Sequence, residues 1–257
     1  MRRLLIGLML LLVAVPLVSA QEDTITFPAL QNGEIVDSSF EDDITTHLYA
    51  FNASTGDTVT ITMTQGDNSL DPFLVLFNSD GEVLSADDDS GDASLSASIT
   101  DVTLDNDGVY FVMATSVLFV DAFEVSTDNM LDYTLTITGQ TTPNSVDDAS
   151  VVTLDATVLS IGNSIAGEST VDTPLAVFYL EAEDGDSATI SLEDAQFFTL
   201  LHVFAPNGER LAADASLADI EADEAGVYII IATEQFFYES MNDDSFFEGG
   251  TFTLVIE

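Results

Sequence analysis

His47 and His202 are the only imidazoles in the chain, and cysteine is absent. Without a thiol there is no thiolate nucleophile, no disulfide, no cysteine zinc site and no lipobox cysteine for a lipid anchor. Neither histidine lies in a His-Glu-x-x-His pattern, so a zinc protease lacks its ligands. A serine hydrolase needs a base and a Gly-x-Ser-x-Gly elbow; the nearest string, Gly162 to Gly167 around Ser164, has the wrong spacing. His47 stands two residues before Tyr49 and His202 sits inside an apolar run, so both read as strand histidines. What the chain has in quantity is carboxylate, 46 Asp and Glu. An acid pair of glycosidase type stays open on that count, although tryptophan, the usual sugar platform, is missing. No catalytic residue is assigned, and the sequence reads as a non-enzyme.

Carboxylates in clusters suggest a cation. Calcium takes about six to eight oxygens in loose geometry, which loop aspartates supply. The densest group is Asp87, Asp88, Asp89 and Asp92, with Asp71 ahead of the preceding apolar run. These five are the candidate metal ligands, and calcium is the one cofactor the sequence suggests. No EF-hand is present, because glycine and glutamate miss their required positions. The plainer alternative is an acidic surface that holds water and cations at high salt. A second candidate site is aromatic: Phe236, Phe237 and Tyr238 precede Met241-Asn242-Asp243-Asp244, and Phe246 and Phe247 follow it. This reads as a hairpin laid partly over the fold. Neighbouring residues on a strand face opposite ways, so one ring of each phenylalanine pair should point outward as a ligand-binding patch. Residues 117–123 hold the matching place earlier in the chain.

The elements that would position these groups are strands, and they occur twice. Residues 47–63 can be laid over 176–192, Asp80-Gly81-Glu82 over Asn207-Gly208-Glu209, residues 108–115 over 226–233, and 133–137 over 252–256. Four matches in the same order indicate a duplication. Val59, Ile61 and Met63 alternate with Thr58, Thr60 and Thr62, and Ala188, Ile190 and Leu192 alternate with Ser187, Thr189 and Ser191. Period two with one apolar and one polar face predicts half-buried antiparallel strands, about eight to a repeat. Tyr110 and Tyr228, after Gly108-Val109 and Gly226-Val227, should pack inward and bond a loop backbone, as in a tyrosine corner. The expected organisation is a signal peptide over 1–20, a sandwich over 23–139, a polar linker over 140–150 and a second sandwich over 151–257. Each sandwich is expected to fold alone when the chain is cut near Pro143.

The first twenty residues have the order of an export signal. Arg2 and Arg3 precede an apolar run from Leu4 to Leu17, and Val18-Ser19-Ala20 offers small residues before a cut. Of 257 residues only three are basic, all arginines, for a net charge of −43. Removal of Arg2 and Arg3 leaves Arg210 alone against 46 acids, or −45. Such a surface repels phosphate backbones and anionic lipid, which excludes nucleic acid as a partner and, after cleavage, membrane. Disorder would suit that charge, but 46% hydrophobic residues and 17 phenylalanines argue for a core.

One family shares this pattern. The run Asp71-Pro72-Phe73-Leu74-Val75-Leu76, then Asp80-Gly81, Leu84, Asp87-Asp88-Asp89, Gly108-Val109-Tyr110 and Tyr133-Thr134-Leu135 resembles the bacterial pre-peptidase C-terminal domain. The resemblance covers nearly all of the first repeat and, more weakly, the second. It implies an all-β fold of two tandem jelly-roll-like antiparallel sandwiches, usually attached to secreted proteases, with relatives in collagenases that bind calcium and collagen. No protease domain accompanies the repeats here. The expected function is therefore a secreted or cell-envelope, non-catalytic protein of adhesion type that contacts an extracellular polymer, surface or partner protein. Two alternatives stand beside it: an acidic envelope protein with a salt-adapted surface and no specific ligand, and a secreted hydrolase that uses carboxylates.

Overall fold

The computed structural model describes residues 22–40, 45–66, 70–92, 95–117, 131–140, 151–235, 237 and 249–257. The signal-like segment lies outside them, as does the linker apart from Gln140. Strand β1 (Glu22–Pro28) comes first. It is followed by β2 (Ile35–Phe40), β3 (His47–Ala53), β4 (Thr58–Gln65), β5 (Pro72–Asn78), β6 (Val83–Asp87), β7 (Ala97–Thr103), β8 (Gly108–Ser116) and β9 (Leu131–Thr138). Then come β10 (Val151–Leu159), β11 (Ser164–Ser169), β12 (Ala176–Ala182), β13 (Ser187–Glu193), β14 (Thr199–Phe204), β15 (Arg210–Asp214), β16 (Leu217–Glu221), β17 (Gly226–Glu234) and β18 (Gly250–Ile256).

The first repeat forms sheets β2-β9-β4-β7 and β3-β8-β5-β6; the second forms β11-β18-β13-β16 and β12-β17-β14-β15. The orders correspond strand for strand, and both are the jelly-roll arrangement. The pairing repeats down to its irregularities. The register of β5 on β6 slips between Leu76 and Phe77, and that of β14 on β15 slips between Val203 and Phe204. The fold is all-β, as the period-two pattern predicts.

Each sandwich fills its own interior from alternating positions. Val59, Ile61 and Met63 of β4 meet Leu135 and Ile137 of β9 and Tyr110 of β8 in the first; Ile190, Leu254 and Tyr228 do the same in the second. Both tyrosine corners are present: Tyr110 Oη donates to Asn106 O and Tyr228 Oη to Glu224 O, each at 2.8 Å.

A third apolar interior joins the two repeats. Strand β5 is buried at every position from Pro72 to Phe77, and β14 from Thr199 to Phe204. A strand buried on both faces needs a layer on each side. Here the second layer is the other repeat. Phe73, Val75, Phe77, Phe111 and Met113 from the first pack in one cluster with Tyr179, Phe204, Ile229 and Ile231 from the second. Strand β1 strengthens the union, since it pairs along its whole length with β10, from Glu22 opposite Thr157 to Pro28 opposite Val151. It thereby extends the second repeat's inner sheet, in which β10 runs parallel to β12, while Ile25 and Phe27 reach the shared cluster. The span 23–139 is thus tied to the second repeat at its first strand, and a cut near Pro143 would bare a large apolar face on both halves.

The contacts at this junction are reciprocal. The turn at Gly208 meets the start of β3, where Leu48 N donates to Gly208 O at 2.7 Å and Arg210 N to Thr46 O at 3.1 Å. The equivalent turn at Gly81 meets the residue before β12, where Leu175 N donates to Gly81 O at 3.3 Å. Each repeat offers the same hairpin to its neighbour, the self-complementary logic of a two-fold interface carried out within one chain.

Candidate functional site

The aspartates expected to bind metal fall on one edge of the first sandwich but do different work. Asp87, the last residue of β6, is spent on the turn that follows. Its carboxylate accepts from Ser90 N at 3.2 Å, Ser90 Oγ at 2.5 Å and Ser98 N at 2.5 Å. Asp71 stands just before β5, half-buried, and burial raises its pKa, helped by the nearby charges of Asp88 and Asp89. Those three carboxylates therefore share one electrostatic neighbourhood. Asp92 is exposed on the same turn. Among the described residues no three His, Asp or Glu side chains are gathered closely enough to hold a metal ion. As they stand, the five do not form a closed ligand set. In the second repeat the matching places hold Phe198, 66% exposed, and Asp214, which accepts from Ser216 N at 3.3 Å.

Of the aromatic candidates, Phe237 lies in the described part, and it is 6% exposed inside the cluster between the repeats. Its ring is taken up by packing and is not offered outward. Phe236, Tyr238, Phe246 and Phe247 lie outside the described residues.

The histidines occupy two different interiors. His47 opens β3, and its Nδ1 lies 2.5 Å from Tyr133 Oη, which in turn lies 2.6 Å from Tyr49 Oη. Phe40 stacks at a tilt on both His47 and Tyr133, with centroids 5.2 and 4.8 Å away. Desolvation takes the His47 pKa down to about 4 despite the opposing charge of Glu209. The ring is therefore neutral and held by a phenol, the hydroxyl of Tyr133. His202 sits on β14 in the layer between the repeats, 7% exposed, and burial takes it to about 3, with Arg210 adding to the fall.

The sequence reading misses this junction as a polar place. Arg210, 7% exposed, bonds Thr45 Oγ1 through its guanidinium, and Thr46 Oγ1 lies 3.0 Å from Thr115 Oγ1. Arg210, His202, Thr46, Thr115 and Thr233 line a small cavity of about 20 Å³. One signal for it was legible: Arg210, the one basic residue after the signal-like segment among 46 acids, asks for an explanation.

Comparison with known proteins bears on part of the chain. No curated protein matches it. Among solved structures it is similar to the pre-peptidase C-terminal domain of collagenase from Bacillus anthracis, at 12% identity and a TM-score of 0.33, over 43% of this chain and 92% of that one. Among the described residues no helix is long and apolar enough to cross a membrane. The match that falls on the strands built here, β3 through β8, is to a family model, and it identifies residues 45–116 as similar to the bacterial pre-peptidase C-terminal domain.

Proposed function

We propose that the protein is exported and acts as a non-catalytic binding protein. Its two sandwiches, packed back to back, present their outer sheets to an extracellular polymer or partner protein. The observation that supports this most is the use of the sheets. The β3 and β12 sheets are consumed by the junction, so the β2-β9-β4-β7 and β11-β18-β13-β16 sheets are what each repeat offers outward. Their outer positions carry hydroxyls and carboxylates in rows. Thr60, Thr62 and Thr64 stand opposite Thr138, Thr136 and Thr134. Thr134 Oγ1 donates to Asp37 at 2.9 Å, and Thr189 Oγ1 to Asp219 at 2.6 Å. A face of paired donors and acceptors suits a hydroxyl-rich polymer better than an apolar partner. The matched domain is one found in secreted proteases, which agrees with export.

Calcium is the cation we propose for the Asp71, Asp88 and Asp89 neighbourhood. Burial chiefly raises the Asp71 pKa, and the charges of Asp88 and Asp89 add to it; that added repulsion is a cost a divalent ion would relieve. Asp87 is left in its turn. The test pairs two measurements on the full chain. Retardation on immobilised extracellular polysaccharides should be lost when Asp37 and Asp219 become asparagine. Calcium should raise the melting midpoint more than magnesium at equal concentration, and Asp71→Asn with Asp88→Asn should remove the difference, because magnesium keeps its waters and demands stricter geometry. Equal shifts with both ions and no retardation would leave charge screening alone, the behaviour of a salt-adapted surface.

A further inference from the structure

Arg210 lies where the two repeats meet, and nothing among the described residues balances its charge. Its guanidinium bonds the neutral Thr45 hydroxyl. Burial is what lowers its pKa, to about 10, so it remains a cation at neutral pH. A cation taken out of water is costly unless a counter-charge replaces the lost hydration. Beside it, His202 Nδ1 is buried with no hydrogen-bond partner. A neutral imidazole carries one N–H, which Nδ1 can hold. The hydroxyls around the cavity are already committed. Thr115 Oγ1 donates to Thr45 O at 2.9 Å, Thr233 Oγ1 to Pro174 O at 2.9 Å, and Thr46 Oγ1 pairs with Thr115 at 3.0 Å. What remains along the cavity wall is a positive charge, an unsatisfied ring nitrogen and apolar surface from Val75, Met113 and Phe237.

We propose that this cavity is a halide site, with one chloride held between Arg210 and His202 at the junction of the repeats. A space of about 20 Å³ admits a single water-sized body. A monatomic anion fits, whereas acetate or phosphate does not. Water would satisfy the histidine and leave the charge unbalanced; chloride answers both. The ion would act as a rivet, because Arg210 and His202 belong to the second repeat while Thr45, Thr46 and Thr115 belong to the first. The acidic exterior repels anions, so occupancy should rise as added salt screens that repulsion.

Two readouts on the purified full chain test this. Crystals soaked in sodium bromide should show an anomalous peak within hydrogen-bond reach of the guanidinium. In solution the melting midpoint in sodium chloride should exceed that in sodium methanesulfonate at matched ionic strength. The gain should be roughly 5–10 °C once chloride is about a hundredfold above its Kd. Arg210→Met should erase the difference between the salts. If that variant does not fold, His202→Phe, which fills the space, serves instead, and the bromide experiment needs no variant. The proposal is overturned by a peakless cavity holding water. A carboxylate of Glu41, Asp42 or Asp43, which precede Thr45 in sequence, found on the guanidinium would also overturn it. So would equal midpoints in the two salts.

Discussion

Gly81→Ala should destabilise the protein by about three times as much as Gly56→Ala. Both glycines sit in turns at positive φ, +84° and +88°. An alanine forced there costs about 1–2 kcal/mol at either place. The two differ in what a Cβ would meet. At Gly56 there is nothing within 4 Å, whereas at Gly81 the atom would fall 1.6 Å from the carbonyl oxygen of Leu175. Ordinary contact begins at 3.4 Å, so that carbonyl must retreat by close to 2 Å. The retreat breaks the bond from Leu175 N to Gly81 O, worth about 1 kcal/mol. It also draws Leu175, 1% exposed, out of the cluster between the repeats, for roughly 1–2 kcal/mol more. The expected cost is then about 3–5 kcal/mol at Gly81 against about 1–2 kcal/mol at Gly56. Denaturant titration with an unchanged slope reads both as shifts of midpoint. Equal losses at the two sites would mean that the Gly81 turn does not press on the second repeat, and the junction described above would be wrong.

Three further outcomes follow from the same geometry. Tyr110→Phe and Tyr228→Phe should each cost about 1 kcal/mol in denaturant midpoint, since each removes one hydroxyl bond to a loop carbonyl and leaves the ring packed. Both histidines have folded pKa values depressed below 6.5, His47 to about 4 and His202 to about 3. The folded state thus binds fewer protons, and their contribution is full above pH 6.5 and lost as pH falls through about 4 for His47 and about 3 for His202. His202→Phe should therefore flatten the fall of melting midpoint across that window relative to the unaltered protein. Residues 22–140 and 151–257, expressed apart, should each be poorly soluble and should co-purify as a complex when expressed together; two monomeric halves that each melt cooperatively would show that the shared cluster is dispensable.

The alternation of Val59, Ile61 and Met63 with threonines made the sandwich fold legible, because a strand with one wet face writes its orientation into every second residue. The Gly-Val-Tyr turns announced the tyrosine corners in the same way. The junction was harder to read. A strand buried on both faces has no alternation, so Phe73 to Phe77 and Leu200 to Phe204 say only that they are covered, and not by what. For β1 the alternation of Thr24, Ile25, Thr26 and Phe27 marks a strand but not its partner, since pairing Thr24 with Asp155 depends on where the chain has returned after the first sandwich. The metal candidates show a different limit. Asp87, Asp88 and Asp89 are neighbours in sequence, but Asp87 turns its oxygens to Ser90 and Ser98 while the charges of Asp88 and Asp89 reach Asp71. Composition can mark a cluster, and side-chain direction decides who shares it.

The duplication makes the polar place at the junction easier to interpret, because the chain carries its own control. The correspondence that lays Gly81 on Gly208 also lays Val75 on His202 and Val83 on Arg210. The bulge pairs confirm it, with Phe77 opposite Val83 in one repeat and Phe204 opposite Arg210 in the other. Val75 lies on the shared cluster and Val83 packs against it. An interface of this shape can therefore be closed with two valines, and one half of it is. Apolar residues in place of a buried charge are commonly neutral or stabilising, so packing alone gives no reason for the other half to carry His202 and Arg210. The pair breaks the two-fold sameness of the junction at one point and puts a cation there, in a chain whose other 46 charged groups beyond the signal-like segment are acids. A site that prefers an anion needs that cation and a donor beside it, and this asymmetry supplies both.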